Sequence, residues 1–126
     1  MPDNTERTAR LPLTEADIRA LVDAFYAGVR EDDLLGPVFE RHVRDWSVHL
    51  PKMYAFWGTV ILHTGRYSGR PLEVHQAIPE LSPTLFDRWL ALWERTVAAR
   101  FDPVTAEQFV IAARRMAASM MARLSA

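Results

Sequence analysis

A chain of 126 residues with no cysteine must close its core by packing alone, which excludes disulfides, thiolate metal sites, iron-sulfur clusters and a cysteine nucleophile. Apolar residues at 49% and charged residues at 25% fit an ordinary globular domain, and no apolar run has the length of a membrane span. The net charge of −1 gives no field that would draw the molecule to nucleic acid or to an anionic membrane, so neither is expected as a partner.

In chain order, "MPDNTERTAR" is polar and carries both charge signs, which reads as a flexible tail over residues 1–12 ahead of a single domain over 13–126. It lacks the basic start and apolar middle of a secretory signal, and with the missing cysteines this points to the cytoplasm. Thr14 followed by Asp17 is a helix-start pattern, and Ile18, Leu21, Val22, Phe25 and Val29 then form one apolar stripe with Tyr26 at its edge. "EDDLLGPVFERHVRD" breaks the period, and Gly36-Pro37 reads as a turn.

From about Trp46 to His63 a broad apolar face returns through His49, Met53, Phe56, Trp57, Val60 and Ile61. Pro51 has no N–H to donate, so the regular helix is expected to begin near Ser47 or Val48, or to bend there. "HTGRYSGRP" is a loop, and a short segment follows between Pro71 and Pro79. Ser82-Pro83 and Asp102-Pro103 each open a further helix. The inner stripe of the first is Phe86, Trp89, Leu90, Trp93 and Val97; that of the second is Phe109, Ala113, Met116, Ala117, Met120 and Leu124. The expected fold is all-α, with four long helices and one short one.

The chemistry lies in the histidines. His42 and His63 sit in polar surroundings, and no pair among the four has the i, i+3 or i, i+4 spacing of a zinc site. His49 and His75 instead lie on apolar faces, where an imidazole calls for a partner: either a backbone carbonyl in the core or a ligand. Tyr26, His49 and Trp89 bring polar tips into the interior from three different helical stripes. Between them stand Phe39, Met53, Phe56, Trp57, Ile78, Phe86 and Met116, walls that suit a flat apolar cofactor. An imidazole from the short segment opposite could hold its metal.

Four ordered stretches, "FYAGVREDDLLGPVFE", "WSVHLPKMYAFWGTVIL", "GRYSGRPLEVHQAIPEL" and "FDRWLALWERTV", make the chain resemble the truncated haemoglobins of group III, from about Leu13 to Leu124. The resemblance implies a globin-like two-over-two helical sandwich around haem b (iron protoporphyrin IX). It implies His75 as the proximal iron ligand, Phe39 packed on the haem face, and Tyr26, His49 and Trp89 around the bound ligand. Met53, Phe56, Ile78 and Phe86 are the expected haem walls. Lys52 and Arg70 are candidates for pairing with the propionates, beside Tyr67. Pro51, two residues past His49, departs from the usual distal helix and is expected to tilt His49.

The expected function is the binding of oxygen, nitric oxide or carbon monoxide. The alternative is a haem-dependent redox enzyme acting on peroxide or nitric oxide. A chain this size carries no flavin or nicotinamide module, so such an enzyme would need an external reductase. A haem-free helical interaction module is the third class.

Overall fold

The computed structural model describes residues 13–67, 69 and 81–124. The tail over 1–12 and the short segment between Pro71 and Pro79 lie outside these. Among the described residues five α-helices follow one another: α1 Glu15–Glu31, α2 Leu35–His42, α3 Trp46–Trp57, α4 Pro83–Arg100 and α5 Pro103–Leu124. A π-helical turn, Gly58–Leu62, prolongs α3, and no strand occurs among the described residues.

Each long helix starts where local chemistry satisfies its free N–H groups. At α1 the Asp17 N–H donates to the Thr14 hydroxyl at 3.2 Å while the Thr14 N–H donates back to the Asp17 carboxylate at 2.9 Å, a reciprocal box despite the shorter acid. The Ser82 hydroxyl accepts from the Leu85 N–H at 3.3 Å, with Pro83 in the first turn of α4. Asp102 accepts from the Thr105 N–H at 3.2 Å at the head of α5, and the Thr105 side-chain and backbone hydrogen bonds hold its carboxyl below the ordinary range.

Two expectations are corrected. Gly36-Pro37 is not a turn between elements but part of the first turn of α2. Proline is tolerated there because the N–H it lacks would have no partner inside the helix. The cap comes from upstream, where one Asp32 oxygen accepts from both the Leu34 and Leu35 N–H groups at 2.9 Å. The other Asp32 oxygen takes the Arg88 guanidinium of α4 at 2.7 Å. Burial pushes the Asp32 carboxyl up, but these backbone and guanidinium donors outweigh it and hold the group below its usual value. The second correction concerns α3, which begins at Trp46 on an Asp45 cap, one residue earlier than expected. Pro51 is therefore its sixth residue and lies inside the helix. The Ser47 carbonyl loses the N–H that any other residue at 51 would offer.

The continuation of α3 is not regular either. The Thr59 hydroxyl donates to the Ala55 carbonyl at 2.9 Å, competing for the acceptor that an α-helical ladder gives to the Thr59 N–H. The ladder widens over Gly58–Leu62 and ends on His63, at φ 59°.

The helices form two layers. α1 and α3 pack together in one, α4 and α5 along each other in the other, and α1 lies on α4 while the π turn reaches α5. Ile18, Leu21, Val22, Phe25 and Val29 of α1 meet Trp57, Trp93, Val97, Phe109 and Ala113 in one continuous core. At its centre the Trp93 indole stacks on Trp57 with centroids 4.3 Å apart, stands edge-on to Phe25, and donates to the Phe109 carbonyl at 3.1 Å. At the rim, Arg114 of α5 forks onto both carboxylate oxygens of Glu94 of α4, at 3.0 and 2.8 Å.

α2 folds back so closely on α1 that a Cβ at Gly36 would stand 2.9 Å from the Arg30 carbonyl oxygen. A backbone atom cannot swing aside as a side-chain tip can. Gly36→Ala is expected to lower stability by about 1–3 kcal/mol, read from the denaturant midpoint. An unchanged midpoint would show that the two helices can separate freely.

Candidate functional site

The site begins on α1. Phe25 and Tyr26 are adjacent residues of one stripe, and both rings are turned inward; Tyr26 is 6% exposed. Burial raises the ionisation of the Tyr26 phenol well above its ordinary range. The hydroxyl therefore stays a protonated donor at any physiological pH. Around it stand three rings from the two following helices: Phe39 of α2 at 5.7 Å, His49 of α3 at 5.3 Å, both edge-on, and Trp46 of α3 at 5.6 Å.

His49 and Trp46 share a face because they are three residues apart on a helix. Their rings meet edge-on at 5.5 Å, and Trp46 lies nearly parallel to Phe39 at 6.4 Å. In the sequence Trp46 marks only the start of an apolar face. Its signal was available in the spacing to His49, but an aromatic at the first turn of a helix usually reads as surface. The indole Nε1 of Trp46 is fully buried and has no hydrogen-bond partner among the described residues.

The third polar tip is one ring further away. Trp89 of α4 is half-buried, edge-on to Phe25 at 5.7 Å and parallel to Trp93 at 5.9 Å. Phe25, which the sequence reading counted as core, thus bridges Tyr26 and Trp89. Met53 and Phe56 are half-buried on the site side of α3 and pack on the core. Tyr67 stands edge-on to Phe56 at 5.1 Å, tied by its N–H to the Thr59 hydroxyl at 3.1 Å. Phe86 is buried, yet lies outside the continuous core cluster. Lys52 is exposed on α3, and His42 and His63 are exposed as well. His75, Arg70 and Ile78 lie outside the described residues, so the proximal half of the expected site does too.

The structure therefore brings together Tyr26, Phe39 and His49, with Trp46 added and Trp89 reached through Phe25. Chemically, this is an aromatic cluster carrying several N–H and O–H donors, suited to a small acceptor of low charge.

No protein-family model matches the chain. The group 3 truncated hemoglobin ctb of Campylobacter jejuni is 33% identical over 89 residues, which span 68% of this chain and 70% of that protein. The crystal structure of the group III truncated hemoglobin from Campylobacter jejuni matches the fold with a TM-score of 0.84 and 28% identity, over 90% of this chain and 93% of that one. The two helical layers and this likeness define a globin of the shortened type. The chain belongs to the group III truncated haemoglobins.

Proposed function

We propose that the protein holds haem b against the face formed by Phe39, Met53, Phe56 and Phe86 and binds oxygen or another small diatomic ligand there. His75 is the proposed proximal ligand, with Ile78 beside it. Tyr26, His49 and Trp89 are the proposed distal residues. Haem supplies an iron centre that takes a diatomic ligand reversibly and can exchange electrons. The observation that carries the reading is the Tyr26 hydroxyl: a phenol kept neutral by burial, in ring contact with His49 and Phe39, inside an otherwise apolar interior. The residues present fit such a group, since aromatic and thioether side chains can make its walls and the buried Trp46 indole N–H has no acceptor among the described residues.

The chain's own part follows from residue chemistry. If haem were bound, its iron would lend negative charge to an oxygen ligand, and the O–H and N–H donors of this chain would then retain that ligand more strongly than carbon monoxide. Tyr26 and Trp89 are the proposed donors, and His49 is proposed to donate as well or to move outward. A neutral His75 imidazole donating from its second nitrogen to a carbonyl would have its ring fixed in orientation. Lys52 and Arg70 are proposed to pair with the propionates, near Tyr67.

The test is the absorption spectrum of purified protein, reduced with and without carbon monoxide. A Soret band that shifts on adding the gas supports the reading, and no visible absorption after supply of haem refutes it. Tyr26→Phe is expected to keep haem and speed oxygen release by roughly tenfold or more, the loss of one hydrogen bond to a partly charged acceptor. An unchanged off-rate counts against the donor role.

A second reading, a redox enzyme acting on peroxide or nitric oxide, draws on the same donors, because several of them around one ligand favour slow release and activation. It requires an external reductase. Fast reductase-coupled turnover supports the enzyme; slow autoxidation without turnover supports binding.

A further inference from the structure

Trp46 packs against the core and also carries a polar atom that this packing leaves unused. It opens α3 directly after the Asp45 cap, and its ring lies within 5.6 Å of both Tyr26 and His49, whose rings are 5.3 Å apart. These three rings are in mutual contact. Phe39 lies nearly parallel to the indole at 6.4 Å. The Arg30 guanidinium of α1 sits over the indole, 4.7 Å from its centroid, and is itself held by the Glu40 carboxylate of α2 at 3.2 Å. The indole plane is thus fixed by contacts from two neighbouring helices.

The indole has one polar atom, a donor, and here it is buried with no acceptor among the described residues. A buried N–H left unmade carries its full desolvation cost, and phenylalanine would supply the same stacking without it. The donor makes sense when its acceptor is a molecule that binds beside these rings.

We propose that Trp46 is a further ligand-directed donor, its indole N–H hydrogen-bonding a small oxygen-bearing acceptor that binds against the Tyr26, Phe39 and His49 rings. The Arg30 and Glu40 contacts hold the ring in the plane this requires. The inference rests on the reading of this face as the distal side of a haem pocket. Its acceptor is the diatomic ligand when one is bound and water otherwise.

Trp46→Phe keeps the stacking and removes the donor. In the haem-loaded variant the stretching band of bound carbon monoxide is expected to move to higher wavenumber, and oxygen release to speed by roughly two- to tenfold. The wild-type Trp46 indole proton, followed by NMR of 15N-labelled protein, is expected to move downfield and to exchange more slowly with solvent on adding carbon monoxide. An unchanged carbon monoxide band with an unchanged oxygen off-rate would overturn the proposal while leaving the haem reading intact. Failure of the wild type to take up haem would overturn both. If Trp46→Phe does not fold, the wild-type indole proton decides: a signal indifferent to ligand rules the donor out. Water as the resting acceptor is tested by the same proton in ligand-free protein, where a cross-peak to bound water is expected and its absence removes that part of the claim.

Discussion

His75→Ala is expected to cut haem retention at least about tenfold, since loss of even an outer-shell partner of a metal ligand costs ten- to a hundredfold in affinity. The other histidines are poor substitutes. His42 and His63 are exposed, and His49 is engaged with Tyr26 and Trp46 on the opposite proposed face. Haem occupancy, read from the ratio of Soret to protein absorbance, is the measurement, with helix content by circular dichroism as the control for folding. Added free imidazole is expected to restore part of the Soret band by filling the space the side chain leaves. Wild-type occupancy in the variant would move the iron ligand elsewhere, with His49 the first residue to test.

The largest expected loss of stability belongs to Trp93→Ala, at about 3–5 kcal/mol. Trp93 is fully buried, and its ring touches those of Phe25, Trp57, Trp89 and Phe109, which come from four different segments of the chain. Alanine leaves a cavity where both layers meet, and it removes the donor to the Phe109 carbonyl. Trp93→Phe is expected to be milder, because the ring contacts persist in part. Urea denaturation of the haem-free protein separates the two. A loss below about 1 kcal/mol for alanine would mean that the neighbouring rings close over the gap.

How much of this could be read from the residues varies with the range of the interaction. The starts of α1, α4 and α5 are legible because a cap and the backbone N–H it accepts from lie three residues apart, at Thr14, Ser82 and Asp102. The start of α2 is not, because its cap is Asp32, set behind a Gly-Pro pair that reads as a turn. The wide turn after Trp57 depends on a threonine hydroxyl competing with a backbone N–H, which no hydrophobic period records. Within the site, Tyr26 and His49 are identifiable as polar residues on inward stripes and Phe39 through the family resemblance, and the Tyr26 ring meets both of the others. Trp46 was not, since its burial depends on α1 and α2 folding over the end of α3, a tertiary event.

Each residue of an α-helix turns the chain by about 100°. The π-helical stretch at Gly58–Leu62 absorbs an additional residue, so the backbone leaving at His63 points differently from a regular extension of the same length. Comparison with a globin that ends this helix regularly therefore needs a single-position gap between Trp57 and Thr64. Without it, Thr59 and the Tyr67 amide it receives would be matched to residues on another side of the helix, and every correspondence from there toward residue 75 would be out of phase by one.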